Sequence, residues 1–151
     1  MKTTRQVSEG VINGEYTLRK WIELYQKGEF KSQWESEEAG WYDWWCSRTE
    51  LPKKLDVLAP RVIAIAKSPL IDIDNTYVFF KNNQPCVGPR YDSFSICDIH
   101  TNEVLYWFGY IRKGCYGDSR RGWDVDAKIN GSWGSLFNYA SWTEIKKHFQ
   151  I

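Results

Sequence analysis

The octapeptide Val104-Leu105-Tyr106-Trp107-Phe108-Gly109-Tyr110-Ile111 decides how this chain folds. It is short, aromatic and β-branched at both ends, the composition of a strand. Odd and even positions alike are apolar, so both faces of that strand need cover. Its downstream neighbour, Trp123-Asp124-Val125-Asp126-Ala127-Lys128-Ile129, alternates instead and presents one polar face. Antiparallel sheets commonly leave one face in water, so 104–111 is predicted to be central and covered on both sides. The N-terminal helices are one possible cover. A partner, or a second copy of the chain in a homodimer, is another.

Outward from this strand the punctuation is regular. Thr101-Asn102 makes a tight turn to a strand at Phe94–Ile99. Before it, a loop through Pro85, Gly88 and Pro89 and a turn at Asn82-Asn83 follow a strand at Tyr77–Lys81. Downstream, the loop Arg112–Gly122 leads to Trp123–Ile129, and Asn130-Gly131 turns the chain again. A Ser-x-x-Glu capping box at Ser141–Glu144 then starts a closing helix that runs to His148 or Phe149.

Upstream the period changes. Leu18, Trp21, Ile22 and Tyr25 recur at helical spacing after Thr17, with Gly28 as the cap. Trp34, Trp41, Trp44 and Trp45 share a face on a second helical stretch. Ser47-Arg48-Thr49-Glu50 reads as a capping box for a third, with Pro52 in its first turn. Leu51, Leu55, Leu58, Val62 and Ile65 form its stripe, Pro60 is expected to kink or split it, and Ser68-Pro69 ends it. The class is α+β: N-terminal helices on an antiparallel meander of about four strands, with a closing C-terminal helix. The 151 residues suit a single domain, with 1–14 as a loose arm.

Composition narrows the function classes. With 20 Lys+Arg against 19 Asp+Glu the net charge is +1, which argues against polyanion mimicry and against general coating of nucleic acid. No run approaches the roughly 18 apolar residues of a membrane span. The expectation is a cytoplasmic protein without membrane contact. The four cysteines have no CxxC spacing and read as free thiols.

No catalytic, cofactor or metal motif emerges. Cys97-x-x-His100 places its two members on opposite faces of a strand, a poor start for a zinc site. Neither histidine sits in a nucleophile motif, so no catalytic residue is assigned and the chain is read as a non-enzyme. Asp72-x-Asp74-Asn75 lacks the glycine and distal glutamate of a calcium loop and reads as a cap before the first strand. Gly117-x4-Gly122 is followed by tryptophan, which excludes a P-loop. The acidic run Glu35, Glu37, Glu38 and Asp43 reads as a solvated helix face or a contact for a basic partner.

The candidate binding residues are Arg112, Lys113, Tyr116, Arg120 and Arg121, on the glycine-hinged loop, together with Trp133. Four cations on such a loop suit phosphates or an acidic protein surface. Trp133, flanked by Gly131-Ser132 and Gly134-Ser135, reads as a large ring in a flexible turn and hence an anchor for a partner. Trp21, Trp41, Trp44, Trp45 and Trp123 are assigned mainly to the core.

The string Tyr77-Val78-Phe79-Phe80-Lys81-Asn82-Asn83-x-Pro85, with Tyr91-Asp92-x-Phe94-x-Ile96-Cys97-Asp98-Ile99, resembles a group of small proteins carried by phages and mobile elements of gut bacteria. Trp44-Trp45-Cys46, then Glu50-Leu51 and a lysine-rich helix, extend the resemblance over about 41–108. It implies no residue roles. What it implies is context: a phage or mobile-element accessory protein, of the anti-CRISPR type among others, that binds and blocks a host protein such as a CRISPR effector nuclease. The alternative expectation is a small nucleic-acid-binding module that uses the 112–122 basic loop.

Overall fold

The computed structural model describes residues 16–28, 50–79, 90–113 and 121–151. The expected arm at 1–14, the tryptophan helix at 34–45, the box at Ser47 and the turn at Asn82-Asn83 lie outside the described residues.

Helix α1 spans Leu18–Gln26. The Thr17 hydroxyl accepts from the Lys20 N–H at 3.2 Å, satisfying one of the donors a helix start leaves unpaired. Gly28, at φ 77°, takes the left-handed conformation that closes it. Leu18, Trp21 and Leu24 are buried, and Trp21 stacks on Tyr25 with centroids 5.5 Å apart.

Helix α2 spans Glu50–Ala66 and runs through Pro60 without splitting. Pro60 lies on the exposed side, while Leu58, Ala59, Val62 and Ile65 are buried. The carbonyl deprived of its donor therefore faces the side where water can serve it.

A five-stranded antiparallel sheet follows: β1 Thr76–Phe79, β2 Arg90–Asp98, β3 Val104–Lys113, β4 Gly122–Ile129 and β5 Ser132–Ala140, in spatial order β1-β2-β3-β4-β5. The fifth strand corrects the expected count of four. The turns explain the meander. Asn130 and Gly131, at φ 50° and 81°, provide the two positive values that a two-residue hairpin needs, and Ile129 pairs with Ser132 across them. Between β2 and β3, the Asp98 carboxylate accepts from the His100 and Thr101 N–H groups at 2.7 and 3.0 Å, and Asn102 turns at φ 61°. Those two donors, Thr101 first, hold the Asp98 carboxyl below its ordinary range. Asp72 organises the approach to β1: it accepts from the Asp74 N–H and the Asn75 side chain, while its carbonyl accepts from Thr76. Arg19 of α1 meets Asp74 through two hydrogen bonds of 2.7 and 3.1 Å.

Helix α3, Trp142–Phe149, opens with the expected capping box. The Glu144 N–H donates to the Ser141 hydroxyl at 3.2 Å, and the Ser141 N–H donates to the Glu144 carboxylate at 2.8 Å. Ser141→Ala should cost about 0.5–2 kcal/mol, measurable as a lower urea midpoint.

Register sorts the sheet into two faces. Val78, Ile96 and Tyr106 align across the first three strands, and Phe94, Phe108, Val125 and Phe137 across the last four. This face receives α1, α2 and α3 and forms one core with Leu18, Trp21, Leu58, Val62, Ile145 and Phe149. Phe94 and Phe108 stack at 4.8 Å, and Phe149 closes on Phe108 at 5.5 Å. The Arg61 guanidinium sits 4.7 Å from the Trp142 ring and 5.8 Å from Trp123, tying α2 to α3 by cation–π attraction.

β3 is central, as predicted from its composition. Among the described residues, α1 and α2 pack on the same side of it as α3, so these two helices do not supply the cover expected on its second face.

Candidate functional site

The next residue along each strand points away from the helices. Phe79 pairs with Ser95, Ser95 with Trp107, Trp107 with Asp126 and Asp126 with Ser135, one straight row across all five strands. Trp133 stands two residues before Ser135 on β5, hence on the same face, beside Lys128. These side chains enclose a cleft of about 580 Å³ lined by Phe79, Ser95, Val104, Trp107, Asp126 and Trp133.

Each wall has a local cause. Gly109, next but one to Trp107, leaves room for its indole: a Cβ at 109 would fall 2.6 Å from the ring carbon Cζ2. The Trp107 ring therefore lies back over β3. Across β4, Trp133 is 53% exposed, the largest exposed side chain among the described residues. Asp126 lies on β4, the strand between those that carry Trp107 and Trp133.

Electrostatics single out Asp126. Partial burial, then the repulsion of nearby Asp124, push its carboxyl upward, and no cation or donor among the described residues opposes them. Asp124 itself accepts from the Tyr139 N–H at 3.0 Å. Lys128, the cation on the same side of β4, is held by Glu103 at 2.8 Å. A carboxyl that keeps its proton more tightly in the folded chain favours folding in acid and loses that contribution as pH rises through its folded value. Asp126→Asn should therefore raise Tm at pH 7. The gain should shrink toward zero near pH 3, where folded and unfolded chains both carry the proton; calorimetry at the two pH values checks this.

The expected site is partly rearranged. Trp133 is exposed, but it belongs to β5 rather than to a flexible turn, which Asn130-Gly131 completes before it. Arg112 and Lys113 are the last residues of β3, so that strand runs beyond the expected loop boundary. Arg121 is exposed just before β4. Tyr116 and Arg120 lie outside the described residues. Trp107 and Asp126 were not among the expected binding residues. Their signal was the doubly apolar 104–111 strand beside the wet face of 123–129, and only the register joins them.

The remaining reactive groups are placed conservatively. Cys97 is buried on β2, and burial pushes its thiol up to about 11, so it is protonated at neutral pH. Tyr77, across from it, is pushed up to about 12, by burial first and then by Cys97. His100 is exposed, its Nε2 2.9 Å from the Asn75 side-chain oxygen. Among the described residues, no three His, Cys, Asp or Glu side chains gather as a metal site, and no helix is long and apolar enough to cross a membrane.

No family model, curated protein or solved structure matches the chain.

Proposed function

We propose that the chain is a non-enzymatic binding protein of phage or mobile-element origin that acts by protein–protein contact in the host cytoplasm. The observation that carries this reading is the cleft on the sheet face opposite α1, α2 and α3, lined in part by Trp107 and Trp133. Binding energy concentrates in aromatic anchors beside a concave, partly desolvated surface, and tryptophan leads among them. Asp124 and Asp126 on this face would repel a phosphate backbone, so the cleft favours a protein over a nucleic acid. The resemblance in the 41–108 region points to a host defence nuclease, of the CRISPR effector class, as the partner.

Affinity purification from a bacterial host, followed by mass spectrometry and an absorbance ratio for nucleic acid, tests the proposal alongside a plasmid-interference assay. The expected result is retention of a host protein together with a change in interference. Co-purifying nucleic acid whose retention falls steeply with salt would favour the basic 112–122 segment instead. Absence of both a retained protein and an interference effect would contradict the proposal.

A further inference from the structure

We infer that Asn130 is a site of spontaneous modification: its side-chain amide is lost through attack by the Gly131 nitrogen, and the isoaspartate that forms loosens the β4–β5 hairpin. The reaction needs no partner and is independent of the proposed function.

The pair of residue types starts it. An asparagine side chain is the right length for the next residue's backbone nitrogen to reach its Cγ, and a side chain on that next residue crowds the approach. Asn130 is the one asparagine among the described residues with glycine after it. The space is open as well: a Cβ built on Gly131 would meet nothing within 4 Å. In the reaction the Gly131 nitrogen gives up its proton and bonds to Asn130 Cγ. The Cγ–Nδ2 bond breaks, and the amide nitrogen takes a proton and leaves as ammonia. Water then opens the cyclic imide. Opening at Cγ returns an ordinary aspartate. Opening at the main-chain carbonyl leaves isoaspartate, in which the backbone runs through Cβ and Cγ.

The fold selects Asn130 over the other asparagines. The Asn75 amide donates to Asp72 at 2.8 Å, and the Asn102 side chain accepts from the Tyr77 hydroxyl at 3.2 Å. Each also precedes a residue with a side chain, Thr76 and Glu103. Asn138 is exposed, but Tyr139 follows it. Residues 129–133, by contrast, are all exposed, Ile129 by 49% and Trp133 by 53%. Hairpin pairing fixes the Asn130 backbone, so the tip must open for the nitrogen to reach Cγ. That opening withdraws no buried side chain from the core, and segments of this kind open at the lowest free-energy cost.

The product does not fit the turn. Two residues at positive φ set the pairing of Ile129 with Ser132 and of Lys128 with Trp133. Isoaspartate lengthens the backbone by a carbon at this point, so those pairs lose their register and β5 frays from its start. The new carboxylate also removes one unit from the formal net charge of +1, which lets ion exchange separate modified from intact chains.

The test incubates the full folded chain in mildly alkaline buffer, which favours the deprotonated nitrogen. Tryptic peptides are then mapped by mass spectrometry with fragmentation that distinguishes isoaspartate from aspartate. Peptide 129–146 contains both Asn130 and Asn138 and so carries its own control. Isoaspartate should accumulate at 130 while Asn138 keeps its amide. The fraction modified at 130 should show a lower urea midpoint than the intact fraction. Asn130→Gly keeps a residue suited to positive φ and has no side chain to react. Any charge it loses on incubation arises elsewhere, Asn13-Gly14 included, and its fractions should share one midpoint. Equal modification of Asn130 and Asn138, modification at 130 only when urea unfolds the chain, or a fraction modified at 130 with the midpoint of the intact chain would overturn the inference.

Discussion

Replacing Phe108 by alanine is expected to destabilise the chain by about 3–5 kcal/mol, the usual range for removing a fully buried phenylalanine. Phe108 is 0% exposed at the centre of the middle strand. Its ring stacks on Phe94 at 4.8 Å, meets Phe149 at 5.5 Å and lies 6.2 Å from Tyr106. Strands β2 and β3 and helix α3 therefore all lose contact together. Neighbouring rings cannot collapse into the space, because each is fixed by its own strand or helix. Domains of this kind are stable by only about 5–15 kcal/mol, so the variant should lose a large share of its urea resistance. The informative comparison is Trp133→Ala. It deletes a larger ring, yet that ring is half exposed, and the change should stay near 0.5 kcal/mol. Similar losses for the two would mean that Trp133 serves the core rather than a partner.

Gly122→Ala should also be costly, at about 2–6 kcal/mol from two additive sources. Gly122 has φ 143°, a conformation that costs a residue with a side chain about 1–3 kcal/mol. A Cβ there would also lie 2.5–2.8 Å from the backbone C, O and Cα of Tyr139. Backbone cannot swing aside as a side chain can, so β5 must move off β4, and such overpacking adds about 1–3 kcal/mol. The same displacement would strain the pairing of Trp123 with Ala140 and the start of α3 at Ser141. Urea unfolding should show a lower midpoint with an unchanged slope. A loss below about 1 kcal/mol would mean that the chain has room at this crossing.

Much of the fold was legible from local pattern. The helix at Thr17, the hairpin at Asn130-Gly131, the box at Ser141 and the central place of 104–111 all rest on interactions a few residues long, or on burial read directly from composition. β5 was not. Ser132–Ala140 contains Gly134, Ser135 and Asn138, and its alternation breaks at irregularities opposite Val125. Among the described strands it is an edge, paired with β4 alone, so its sequence is under weak demand for apolar residues. Of the two effects expected of Pro60, a split does not occur, and which effect a proline has depends on the side of the helix it occupies, a tertiary fact.

The candidate site divides the same way. Trp133 stood out as a large ring among glycines and serines, but its strand was mistaken for a turn. Trp107 read as buried and Asp126 as part of a wet face, both fair local descriptions. That Asp126 falls on the strand between those of Trp107 and Trp133 follows from the order of β3, β4 and β5, and no stretch of sequence states a register between distant strands.

The proposed function places a partner on the sheet face opposite α1, α2 and α3, with Trp133 as its anchor. The most direct measurement is retention of a host protein by the wild-type chain, by Trp133→Ala and by Leu70→Ala, each shown by circular dichroism to be folded. Leu70 is exposed beyond the end of α2, away from the cleft. Binding should persist in Leu70→Ala and fall at least about tenfold in Trp133→Ala, the loss typical of a central aromatic anchor. Equal retention by all three proteins would contradict the account.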